Sequence, residues 1–358
     1  MSRKISAARV AVLGACTVLV GACDRSPRAI ETVRQWSYDS TMVFPSARGL
    51  HGPEDGVALP DGRLLVTDAV SGLRLIEPDG TSRPFGEMVA AGYVHNPPAR
   101  EGGANGVSLE PDGAHALVTD IEDGSIYRVN VTTGAAEKVY QHRYGVNAAV
   151  RDSRGTIWFT QSARNSAETG LSRMWASVDA GSVEGALLRL PMSGDQPGTQ
   201  AEVVLDSLAF PNGVALDERN GHLYVSEMMA GRVLRYRVDP ATGGLSERTV
   251  IFEGHAVDNL ELDDRGRLWM VAPISNQVIV LNTATGATHT AFNVQTPVQM
   301  ERAAEFDARG KRGESRLELL TPEQWAPLPG FITGLILNEG AGPIYLTGLG
   351  DALIRLDR

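Results

Sequence analysis

Between Leu50 and Leu356 the apolar positions fall into strand-length runs paired around turn residues. A polar residue opens each pair, an apolar strand follows, and a turn ending in Gly leads into a second apolar strand. The first copy runs Glu54-Asp55-Gly56-Val57-Ala58-Leu59, turns at Pro60-Asp61-Gly62 and continues as Leu64-Leu65-Val66-Thr67-Asp68. Later copies open at Asn105, Asn147, Asn212, Asp258 and Thr333. Their second strands are Ala116-Leu117-Val118, Ile157-Trp158-Phe159, Leu223-Tyr224-Val225, Leu268-Trp269-Met270 and Ile344-Tyr345-Leu346. Asp-Gly and Asn-Gly between alternating apolar residues signal a tight hairpin, because the turn needs a positive φ that Gly and Asn tolerate. Most copies are followed by a third strand, such as Ser125-Ile126-Tyr127-Arg128-Val129.

The six openings are 51, 42, 65, 46 and 75 residues apart, which brackets the roughly 40–50 residues of a four-stranded propeller blade. The pattern predicts an all-β fold over 50–358, a six-bladed β-propeller with four-stranded blades whose ring leaves only short edges. The two long steps predict insertions at about 163–185 and 283–330, the second holding a helix-like stretch over 300–306. Loops of that length are often functional lids; surface decoration is the other reading.

The N-terminus follows a different plan. Arg3, Lys4 and Arg9 precede an apolar run from Val10 to Ala22, the layout of a secretory signal. The run is shorter than the roughly 20 residues of a membrane-spanning helix. Leu19-Val20-Gly21-Ala22-Cys23 resembles the lipobox of bacterial lipoproteins, so 1–22 is expected to be a lipoprotein-type signal peptide and Cys23 the lipidated residue. Leu13-Gly14-Ala15-Cys16 is a second candidate, and an ordinary signal peptide is the alternative. Residues 23–49 are expected to form a tether and first strand region. The mature chain is expected on the periplasmic side, attached to membrane through its lipid alone, and Asp24 resembles an inner-membrane retention signal. Both cysteines lie in this segment, so the fold must rest on its core rather than on disulfides. Beyond the leader 30 basic residues face 43 acidic ones, a net charge of −13. Such a surface repels phosphate backbones, and nucleic acid is not an expected partner.

In a propeller the innermost strand of each blade begins at one end of the central channel. The residues there, Glu54, Asn105, Asn147, Asn212, Asp258 with Asn259, and Thr333, are all oxygen donors. Calcium takes six to eight oxygen ligands at loose geometry, whereas zinc or copper would ask for His or Cys. Glu54 and Asp258 offer two negative charges, and Asn147, Asn212 and Asn259 neutral carbonyls. One Asn before Gly is ordinary turn chemistry. Five equivalent positions without Ser, Gly or Pro point instead to one calcium ion.

Gly52-Pro53-Glu54-Asp55-Gly56-Val57, Phe210-Pro211-Asn212-Gly213-Val214 and Val257-Asp258-Asn259-Leu260 resemble the calcium-dependent propeller hydrolases: the senescence-marker and gluconolactonase group, diisopropyl fluorophosphatase and the paraoxonases. The resemblance implies Glu54, Asn147, Asn212, Asp258 and Asn259 as metal ligands and a lactone or ester as substrate. It also implies calcium acting as Lewis acid on the carbonyl, Glu54 or Asp258 taking the proton of water, and Asn105 contacting substrate. Thr333 is expected beside Asn105 in substrate binding. Paraoxonases have histidines where this chain has Asn105 and, nearby, Ile121, so their dyad chemistry does not transfer. The acid expected for a second, structural calcium is Ala148. His51 and His255, each three residues before a pore carboxylate, are weaker candidates that could overhang the pore mouth, since a lone His before a strand is more often a solvated loop residue than a base. Two rival readings stand beside the hydrolase: a non-catalytic ligand- or protein-binding propeller with a structural calcium, and a metal-free strictosidine-synthase-like condensing enzyme.

Overall fold

The computed structural model describes residues 33–193, 196–338, 340 and 342–358. The N-terminal segment expected to be a signal peptide, with Cys16, Cys23 and Asp24, lies outside them, as does part of the turn near Gly340.

Six four-stranded antiparallel sheets form the propeller. Blades one, two, four and five take four consecutive strands each, and blade three does so but for a short hairpin, Met192–Ser193 with Gln196–Pro197, between its third and fourth strands. Their innermost strands are Gly56–Ala58, Ala104–Leu109, Ala149–Arg151, Pro211–Asp217 and Leu260–Leu262. The sixth blade runs Ile332–Ile336, Ile344–Gly348 and Leu353–Leu356, and its outermost strand is Val43–Phe44. Val43 pairs with Ile354 and Phe44 with Leu353, so the beginning of the described chain is laced to its end. Trp36 strengthens the closure, donating from its indole to the main-chain oxygen of Asp357 at 2.8 Å.

The core is distributed between blades. Successive residues of a strand point to opposite faces, so each sheet offers one apolar face to either neighbour. Leu65, Leu73 and Leu75 of the first blade meet Val107, Val118 and Tyr127 of the second. Leu117 and Ile126 of the second meet Ile157, Phe159 and Leu188 of the third. Similar clusters continue around the ring. Ile336, Tyr345 and Leu353 against Leu64, Val66 and Ile76 close it.

Both insertions contain helix. The first joins the second and third strands of blade three and holds α1, Gly170–Ala180, ended by Gly181 in the left-handed region at φ 61°. The second carries α2, Pro297–Arg312, started by a capping box between Thr296 and Gln299. It is shorter than the 283–330 read from sequence, because Thr288–Asn293 forms the outer strand of blade five.

Candidate metal centre and cavity

A ring of hydrogen bonds fixes where each blade opens. The amide of Gly106 donates to Asn147 O, that of Gly213 to Asp258 O and that of Asn259 to Thr333 O, each at 3.1 Å. Small residues are needed here: a Cβ on Gly213 would lie 2.6 Å from the Leu260 nitrogen. A second ring comes from hydroxyls at the ends of the second strands, each reaching the neighbouring blade. Thr160 donates to Asn212 O at 2.6 Å, Ser226 to Asp258 O at 2.9 Å and Thr347 to Glu54 O at 2.7 Å, and Thr119 donates to Asn147 O. Thr333 also donates to Glu54 O, at 2.7 Å. These hydroxyls were missed in the sequence reading, although they recur at one position of the repeat.

The side chains so held converge. Glu54, Asn105, Asn147, Asn212, Asp258 and Thr333 line one cavity of about 300 Å³. Asn259 stands behind it, its Nδ2 3.4 Å from each carboxylate oxygen of Glu54. Asn105 is tied to its neighbour, donating to Asn147 Oδ1 at 3.2 Å and Asn147 O at 3.3 Å. His51 and His255 are not among the lining residues. His51 pairs with the fully buried Asp68 at 3.0 Å, and His255 stacks on Phe252.

The electrostatics of this floor are one-sided. Glu54 and Asp258 are both buried, 5 % exposed each. Burial first and neighbouring carboxylates second push their proton affinities well above the usual carboxylate range; for Glu54 that neighbour is chiefly Asp258, for Asp258 it is Asp55. Asp55, one layer deeper, is raised to about 7 by burial, even though Val107 donates its amide at 3.0 Å. Among the described residues no Lys, Arg or His lines the cavity to offset this charge.

Two oxygens aimed into this region, Asn212 Oδ1 and Asp258 Oδ1, are buried without a hydrogen-bond partner. A buried acceptor without a donor is rare and costly. Two carboxylates and two amide oxygens, Glu54, Asp258, Asn147 and Asn212, form the donor set calcium prefers. The residues therefore fit the ion. A second cluster, Glu110, Asp112 and His115, also brings ligand atoms together. There Arg128 and Arg151 already hold the carboxylates, at 2.9, 3.1 and 2.8 Å.

The two insertions roof the cavity. Met174 and Val178 of α1 and Phe306 of α2 pack with Ile121, Phe210 and Ile274 from the blade tips into one apolar cluster over the channel end.

Residues 122–301, half of the chain, match the sequence profile described as the SMP-30/gluconolactonase/LRE-like region. Over 175 residues the chain is 26% identical to the adipocyte plasma membrane-associated protein of Gallus gallus, a stretch covering 47% of this chain and 41% of that protein. The matched part thus spans less than half of that relative. Among solved structures, a gluconolactonase of Xanthomonas campestris superposes with a TM-score of 0.58 at 18% identity, covering 87% of both chains. A calcium-binding regucalcin of Agrobacterium tumefaciens does so with a TM-score of 0.59 at 12% identity, covering 91% of this chain and 95% of the other. At such identities the likeness is one of fold.

Proposed function

The chain belongs to the SMP-30/gluconolactonase/LRE-like family, and from that premise we propose that it is a calcium-dependent hydrolase of a lactone or ester. The observation that carries the reading is the pair of partnerless buried oxygens, Asn212 Oδ1 and Asp258 Oδ1, beside Glu54 at the floor of an accessible cavity. Two structural neighbours, a gluconolactonase and a calcium-binding protein, support the same reaction class and ion. Fold alone would not.

Calcium held by Glu54, Asn147, Asn212 and Asp258 would supply positive charge where the carbonyl oxygen becomes anionic. Asn259 holds the Glu54 carboxylate from behind, and the hydroxyls of Thr160 and Ser226 fix the main chain of Asn212 and Asp258. Asn105 and Thr333 place an amide and a hydroxyl on the lining for the polar end of the substrate. Water adds its oxygen to the carbonyl carbon, the ester C–O bond breaks, and the released alkoxide oxygen takes up a proton. A floor carboxylate, Glu54 or Asp258, receives the proton that water loses. Leu171, Met174 and Val178 of α1 and Leu320 of the second insertion surround the floor with apolar side chains, whose low polarity strengthens each of these interactions.

Initial rates on a panel of lactones and aryl esters, with and without a calcium chelator, test the reading. Turnover that chelation abolishes and added calcium restores is the expected result. Absence of histidine from the lining favours one rival, a binding propeller with a structural ion, and a panel without any turnover would establish that rival. We also propose that Cys23 is acylated and holds the mature chain on the periplasmic face of the inner membrane. Cys23→Ser should move the protein from the detergent phase to the aqueous phase; identical partitioning would remove the anchor.

A further inference from the structure

The cavity has two chemistries. Its floor carries the six blade-opening side chains, whereas its walls are hydrocarbon, with Leu171 and Trp175 from α1, Leu320 from the second insertion, and Phe210, Ile274 and Phe331 from blade tips. Beyond the floor, Glu101 is the one lining residue with a side-chain oxygen among the described residues. A polyhydroxylated lactone bound here would bury most of its hydroxyls against carbon, with the Glu101 carboxylate and the Trp175 indole N–H as the side-chain partners on the described walls, and each unsatisfied hydroxyl costs affinity. An alkyl chain gains from the same walls.

Resting on the hydrolase reading above, we propose that the substrate is an uncharged lactone or ester carrying an apolar chain, with its carbonyl on the floor and its chain along the wall built by the two insertions. Trp175 of α1 lines this wall and is 37 % exposed, so its ring faces both the cavity and solvent.

The test compares kcat/KM for γ-butyrolactone, γ-hexalactone and γ-octalactone with that for glucono-δ-lactone. In parallel, calorimetric titration measures the affinities of the matching γ-lactams, which are not turned over. We expect both quantities to rise about fourfold per methylene along the series, γ-octalactone to exceed the sugar lactone, and Trp175→Ala to flatten the slope. A flat slope in both measurements, or a sugar lactone that outruns the alkyl series, overturns the proposal while its turnover leaves the hydrolase reading standing. Lactam affinity that climbs with chain length in a protein that hydrolyses none of the lactones supports the apolar specificity and sinks the hydrolase reading instead.

Discussion

Arg316, in the second insertion, donates from Nε and Nη2 to the main-chain oxygen of Val178 near the C-terminal end of α1, at 2.9 and 2.8 Å. A cation there complements the negative end of the helix, where the Val178 carbonyl otherwise accepts the amide of Gly181 at 3.3 Å. The guanidinium is buried, lies 4.6 Å over the ring of Phe306 from α2, and has its proton affinity lowered by that burial. Asp179 answers from the other side, accepting the amides of Arg316 and Leu317 at 2.6 and 2.9 Å and the hydroxyl of Ser315. Two insertions separated by more than a hundred residues of chain are thus clasped into one roof over the cavity.

Replacing Arg316 by Met should therefore open the roof and leave the propeller intact. Hydrogen bonds from a charged donor contribute about 1.5–3 kcal/mol, and the Val178 carbonyl would lose both of its own. The expected outcome is a modest fall in melting temperature together with new proteolytic cleavage inside 163–185. Unchanged cleavage kinetics in the variant would mean that the roof does not depend on the clasp.

Calcium removal should destabilise the fold, because Glu54 and Asp258 would then share a buried floor without a cation. Binding to the native state alone adds about 2.7 kcal/mol at a hundredfold excess over Kd. A chelator should lower the melting temperature of the wild type, and Asn212→Leu should bind the ion more weakly and respond less to the chelator. Elemental analysis should find one calcium per chain; none found, with a melting curve indifferent to chelation, would sink the ion.

The blade openings were legible because each combines an oxygen donor, an apolar strand and a Gly turn, three local demands visible in a single copy. Gly155 and Gly266 adopt φ of 90° and 73° although no Asn or Asp precedes them. Less local features escaped. Thr288–Asn293 is buried at two adjacent residues, Ala291 and Phe292, and so lacks the alternation of a strand, which is why it was read as part of an insertion. Val43–Phe44 is two residues long and pairs with the far end of the chain. The roof had a signal that went unread: Leu171, Met174, Trp175 and Val178 stand at i, i+3, i+4 and i+7, one face of a helix. That spacing shows an apolar stripe but not what it covers, which depends on Arg316 and Asp179 meeting across the fold.

At the opposite end of the channel Glu261 lines a second opening of about 360 Å³. Burial, and then the charge of Asp55, raise its pKa from 4.5 to about 8. A carboxyl with a folded-state pKa above its unfolded value contributes stability that is fully present below about pH 4 and is lost as pH rises through about 8. Glu261→Gln should remove that dependence. Chemical denaturation at pH 5 and pH 9 should show the variant gaining on wild type as pH rises. The ceiling is about 5 kcal/mol at 1.36 kcal/mol per unit, and the measured gain should fall below it because the carboxyl keeps some contact with solvent. A constant difference between the two proteins would mean that Glu261 is solvated in both states.

The last prediction concerns Asn105, whose amide donates to Asn147 Oδ1 at 3.2 Å and to Asn147 O at 3.3 Å. A purely substrate-binding residue could be truncated without disturbing the ion. Here truncation also frees the Asn147 side chain, whose amide oxygen belongs to the proposed ligand set. Asn105→Ala should therefore do two things: weaken calcium binding several-fold, and lower kcat/KM by roughly 5- to 150-fold even at saturating calcium, the range expected for losing a contact of about 1–3 kcal/mol. Competition with a chelating dye measures the first effect, and initial rates across a calcium titration measure the second. If excess calcium restores the rate completely, Asn105 only positions Asn147 and substrate contact must be sought at Thr333. If calcium affinity is unchanged while the rate stays low, the Asn105–Asn147 bond does not shape the metal site and Asn105 acts on the substrate alone.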